Sequence, residues 1–188
     1  MNTRDLVLVP LFAALIVALG IMPPIPLGFL PVPITLQTLG VLLAGSMLGP
    51  WRGALAPALV VLLVVLGLPV LSGGRGGLGV LAGPTAGFLL GWIPGAFVTG
   101  LIARPILLAG RQGVGAFLGL LLAALVGGVL VVYAFGIVWL SLVGGIALST
   151  AALGSLAFLP GDLIKAALSA AATRAVHRVY PLTRTTTA

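Results

Sequence analysis

The residues able to do chemistry in this chain are few enough to name. Its 188 residues include two acids, Asp5 and Asp162, nine cations, one histidine, His177, and no cysteine. The pair whose spacing matters is Asp162 and Lys165, in the segment PGDLIK over residues 160–165. Three residues apart on a helix, a carboxylate and an ammonium share one face. Their surroundings are apolar, and a charge at the centre of a bilayer costs at least about 2.5 kcal/mol, so such a pair faces a cavity or a partner. The carboxylate accepts N–H donors and the ammonium donates to a carbonyl or carboxylate. Together they suit a small group that offers both a donor and an acceptor. A self-neutralising pin between two helices is the other use of the same pair, and spacing leaves both open.

Other reactive constellations are absent from the sequence. One histidine and no cysteine cannot build a metal cluster, and two acids cannot form a Ca²⁺ cage. No segment matches G-x-x-x-x-G-K-[ST], and the glycine run over 73–77 lacks that motif's lysine and hydroxyl. His177 has no acid or nucleophile near it in sequence and reads as an interfacial histidine. With no serine–histidine pair in the apolar segments, an intramembrane hydrolase is not indicated. The chain reads as a non-enzyme without cofactor or metal.

The elements that must position Asp162 and Lys165 follow from composition. The chain is 61% hydrophobic and 6% charged, where a soluble domain carries about a quarter charged residues. Lipid is therefore the expected solvent. The fold class is an all-α membrane protein with six transmembrane helices, at about residues 6–22, 35–49, 53–68, 84–108, 114–140 and 156–176. One integral membrane domain covers 1–188, with a tail over 177–188. Prolines and glycines punctuate the spans: Pro23-Pro24 after the first, Gly49-Pro50 after the second, Pro69 after the third. The first apolar run has Arg4 before it and small residues Ala18 and Gly20 within it, as a cleaved leader does. It is longer than a leader's apolar core and no polar domain follows, so it reads as a retained span.

A net charge of +7 invites a nucleic-acid reading. The placement of the cations gives a better account. With a cytoplasmic N-terminus, six spans leave Arg4, Arg52, Arg104, Arg111, Arg174, Arg178 and Arg184 inside and only Arg75 outside. That is the positive-inside distribution of a multi-pass membrane protein with both termini cytoplasmic. The same topology brings Asp162 and Lys165 to the outer half, near the loop over 31–38 and the loop over 72–85. Arg75 either attracts an anionic substrate or is a solvated loop charge. Gln37 and Thr38 either line a pocket or hydrogen-bond between helices. Three stripes of small residues read first as close helix packing: Gly79, Gly83, Gly87, Gly91 and Gly95; Ala14 and Ala18; Ala166 and Ala170. A gradient-driven secondary transporter of a small organic acid and a non-transporting assembly protein both remain open. The sequence shows no convincing internal repeat of the kind many secondary transporters carry.

Five segments together resemble the BioY family, the biotin-specific substrate-binding (S) subunits of energy-coupling factor (ECF) transporters. They are PVPITLQTL over 31–39, GLPV over 67–70, GGRGG over 73–77, GPTAG over 83–87 and PGDLIK over 160–165. The resemblance spans about residues 5–175. It implies a six-helix S-component bundle in a prokaryotic cell membrane, binding biotin from the outer side. It also implies a transmembrane coupling subunit and two cytoplasmic ATPase subunits as partners, with delivery inward by reorientation in the membrane. Within the shared motifs it assigns substrate contact to Asp162, Lys165, Arg75, Gln37, Gly83 and Thr85. Asp162 would accept from the ureido N–H groups, Lys165 would donate to the ureido carbonyl, and Arg75 would meet the valerate carboxylate, which Lys165 could also meet, exchanging the roles in part. Ala14 and Ala18 resemble the small-residue motif by which S subunits dock the coupling subunit.

Overall fold

A computed structural model describes residues 3–110 and 113–180. Arg111, Arg184 and the tail beyond Tyr180 lie outside the described residues.

Breaks in the chain fall where backbone chemistry demands them. Helix α1, Thr3–Gly20, stops ahead of Pro23-Pro24. A loop follows, pinned by one antiparallel bridge between Ile25 and Ile34. Helices α2, Gln37–Leu48, and α3, Pro50–Val65, are separated by the single residue Gly49. Gly49 has φ +82, a left-handed conformation that side-chain-bearing residues rarely adopt. Pro50 then opens α3 at a position where its missing N–H is not needed. Helix α4 is Ala86–Leu108. Helix α5, Gly113–Leu125, continues through a π-helical turn, Val126–Val131, into α6, Val132–Leu142. A short helix α7, Leu148–Ser155, leads through a 3₁₀ turn into α8, Leu159–Val179.

Among the described residues, four helical runs are long and apolar enough to cross a membrane: Thr3–Gly20, Ala86–Leu108, Gly113–Leu142 and Leu148–Val179. The 12 residues of α2 and 16 of α3 extend only about 18 and 24 Å, against about 30 Å of hydrocarbon. Outward faces are apolar at helical spacing, as with Val114, Leu118 and Leu122 on α5, all exposed. Water tolerates no surface of that extent, whereas lipid solvates it.

Helix α4 is the hub and packs on α2, α3, α5 and α6. Its small residues explain why. A Cβ on Gly87, Gly91 or Gly95 would run into Trp139, Phe135 or Val132, so this stripe is the groove that receives the α5–α6 rod. Gly100 lies against the backbone of Gly49 and Pro50, seating the α2–α3 reversal on the middle of α4. Ala166 and Ala170 are buried between helices, whereas Ala14 and Ala18 are exposed on α1.

The stretch expected as one uninterrupted span over 114–140 contains the π turn. Its physical trace is a slip in the buried face. Ala116, Leu120, Ala123, Ala124 and Gly127 are buried before it, and Val132, Tyr133, Gly136 and Leu140 after it. Continuing the first set with α-helical spacing would bury 131, 134 and 138, yet Ala134 and Val138 are exposed. One extra residue has been taken up in the turn.

Candidate ligand-binding site

The alternating run of the chain brings the C-terminal ends of α1, α3 and α6 to the same end of the bundle as the N-terminal ends of α2, α4 and α8. Between them lies a cavity of about 690 Å³, counted out to its open mouth.

Asp162 and Lys165 are in its wall, on the first turns of α8, which Pro160 opens. The helix N-terminus favours the carboxylate there. Both side chains are buried, with Asp162 8% and Lys165 5% exposed. Lys165 Nζ donates to Asp162 Oδ1 at 2.9 Å and to Thr38 Oγ1 at 3.0 Å. Tyr133 Oη donates to Asp162 Oδ2 at 2.6 Å. Four residues from α2, α6 and α8 thus form one connected polar line in the cavity wall.

Four aromatic side chains, Phe88, Trp92, Tyr133 and Phe158, share the apolar part with aliphatic ones. Phe88, Tyr133 and Phe158 meet pairwise edge-to-face, with ring centroids 5.8–6.2 Å apart and interplanar angles of 74–84°. Trp92, Val32 and Val132 extend it. Rings in mutual edge-to-face contact are hard to displace and hold a fixed shape. A flat apolar ring fits against them while its polar edge turns to Asp162, Lys165 and Thr38.

The remaining sequence-indicated residues are distributed unevenly. Arg75 and Thr85 line the mouth, where Arg75 donates through Nε to Ser72 O at 3.4 Å and through Nη1 to Thr85 Oγ1 at 3.5 Å. Gln37 is in the wall but only 1% exposed, and its amide serves the backbone. It donates to the carbonyls of Ile16 (3.3 Å) and Val70 (3.2 Å) and accepts from the Ser72 N–H (2.9 Å). Gly83 is not among the residues lining the cavity; its carbonyl accepts from the Trp139 indole at 3.0 Å, which holds the turn before α4. Ala14 and Ala18 lie on the outer surface of α1, away from the cavity.

Sequence reasoning missed Tyr133, Phe88, Trp92 and Phe158. A signal for Tyr133 was present: it is one of two tyrosines in the chain and sits in the long apolar run. A hydroxyl at such depth requires a partner.

The chain matches the BioY family over residues 1–182. It is 58% identical over 182 residues to the biotin transporter BioY of Rhizobium etli, covering 97% of each chain. It is 50% identical over 187 residues to the biotin transporter BioY of Rhodobacter capsulatus, covering 95% of each. Its fold superposes on the crystal structure of the S-component for biotin from an ECF-type ABC transporter with a TM-score of 0.87 at 35% identity, covering 95% of each chain. On these matches, this chain belongs to the BioY family.

Proposed function

We propose that this chain binds biotin from the outer side of the cell membrane and delivers it inward as the S subunit of an ECF transporter. The observation that carries the reading is the Asp162–Lys165–Thr38 line beside a wall of aromatic rings. Biotin's ureido edge offers two N–H donors and one carbonyl acceptor. Asp162 accepts from the N–H groups, and Lys165 with Thr38 meets the carbonyl. The fused thiophane ring and valeryl chain lie along Phe88, Trp92 and Phe158, and the carboxylate reaches Arg75 and Thr85 at the mouth. Names of relatives similar over nearly their whole length support the same ligand.

The single membrane domain crosses the bilayer six times with both termini cytoplasmic, which puts the cavity mouth outside. Helices α2 and α3 supply the two short crossings. The chain's sequence contains no Walker-type phosphate loop, so energy comes from partners: a transmembrane coupling subunit and two cytoplasmic ATPases. The exposed Ala14 and Ala18 on α1 supply a smooth surface for the coupling subunit.

Calorimetry on the purified chain tests the ligand. Biotin is expected to bind one site, and Asp162→Ala or Lys165→Ala to weaken it by at least about 100-fold, since each leaves the other charge buried and unpaired. A folded wild-type chain that takes up no biotin would overturn the proposal.

A further inference from the structure

We propose that Tyr133 is a positioning residue that sets the direction of the Asp162 carboxylate, and that the π turn Val126–Val131 exists in this rod to aim it. The inference rests on the cavity being the biotin site and deepens that reading.

An aspartate and a lysine three residues apart, alone in an apolar wall, are free to close on each other. The ammonium then bridges both carboxylate oxygens, and the acceptor edge turns away from the cavity. Here Lys165 holds only Oδ1, at 2.9 Å, while the Tyr133 hydroxyl holds Oδ2 at 2.6 Å. The two donors come from different helices and fix the plane of the carboxylate. Each oxygen keeps a lone pair for a further donor. Lys165 in turn is drawn toward Thr38 Oγ1, at 3.0 Å, which keeps its charge from folding onto Oδ2.

Tyr133 itself has little freedom. Its ring is wedged edge-to-face between Phe88 and Phe158 and is buried. Its hydroxyl therefore points in one direction, set by the register of α6. That register comes from the π turn two residues before it. With plain α-helical spacing from Gly127, the inward positions would be 131, 134 and 138, and Tyr133 would be turned by about 100°. The extra residue taken up in the turn restores Val132, Tyr133, Gly136 and Leu140 to the inner face. Leu130, within the turn, is exposed and is not among the residues lining the cavity.

The test is biotin affinity by calorimetry on the full purified chain, for wild type, Tyr133→Phe, Asp162→Asn and the double variant. Removing one hydrogen bond to a charged group is expected to weaken binding by about 10-fold or more in Tyr133→Phe. In the Asp162→Asn background the same change should add less than about 2-fold, because Tyr133 acts through Asp162. A residue that served only through ring packing would keep wild-type affinity in Tyr133→Phe, which retains the ring, and leave this coupling at zero. Deleting Leu130 removes the extra residue and leaves Tyr133 on the inner face, so binding is expected to survive a deletion that would otherwise rotate the helix. Wild-type affinity in Tyr133→Phe, a fully additive loss in the double variant, or loss of binding in the folded Leu130 deletion would each overturn the inference. No biotin binding by the wild-type chain would instead overturn the functional reading, and this one with it.

Discussion

Gln37 shows how one side chain serves the site without its amide being free to meet a ligand. It ties the last turn of α1, through Ile16, to the loop after α3, through Val70 and Ser72. Gly20 makes room for it, since a Cβ there would lie 2.7 Å from Gln37 Nε2. Gln37→Leu keeps the volume but strands the Ser72 N–H and the Val70 carbonyl, the Ile16 carbonyl keeping its bond within α1. We expect a loss of about 2–4 kcal/mol of stability, read from denaturant unfolding in detergent, with an unchanged value showing that the clamp contributes nothing. At this scale the sequence was partly legible. Asp162 and Lys165 stand out because charge is scarce, and their spacing places them on one face. Gln37 was ambiguous because an amide serves a ligand and a backbone equally well. Tyr133 was hidden because its partner lies 29 residues away on another helix, a separation that no local pattern encodes.

Among the elements, α4 carries the rest. Its glycines let neighbours approach to backbone contact, and the closest backbone approach is Gly100 under the Gly49–Pro50 reversal. Gly100→Val would push that reversal outward and shift both short helices, α2 with Gln37 and Thr38 included. We expect about 1–3 kcal/mol of destabilisation from overpacking, visible as a lower melting temperature, together with weaker biotin binding because Thr38 moves. A variant that melts and binds as wild type would show that the seat is loose. Helix ends were legible because proline and glycine leave few choices there. The π turn was not: Gly127-Gly128 in an apolar run reads equally as a packing pair, and Gly127 is indeed packed against Thr99 and the Gly95 carbonyl. Nor does spacing say which small stripes face inward. Ala166 and Ala170 are internal, and Ala14 and Ala18 are not.

For the whole molecule, composition points to lipid as the solvent, and the distribution of cations predicts an orientation in it. The sequence contains no cysteine, so single introduced thiols report sidedness cleanly. Ala82→Cys, exposed at the cavity end, is expected to react with an impermeant maleimide on intact cells. Ala109→Cys, exposed at the opposite end of α4, should react only after permeabilisation. The reverse pattern would invert the orientation. The ion pair in the cavity wall has a last consequence, which is electrical. Asp162 and Lys165 cancel, leaving the formal charge of Arg75 among the ionised groups that line the cavity. A monoanionic occupant cancels that charge too. A transmembrane potential does work of about 2.3 kcal/mol per elementary charge per 100 mV. On a loaded site whose charges sum to zero it does none, so occupancy by a monoanion makes the ionised groups of the cavity electrically neutral to the membrane voltage.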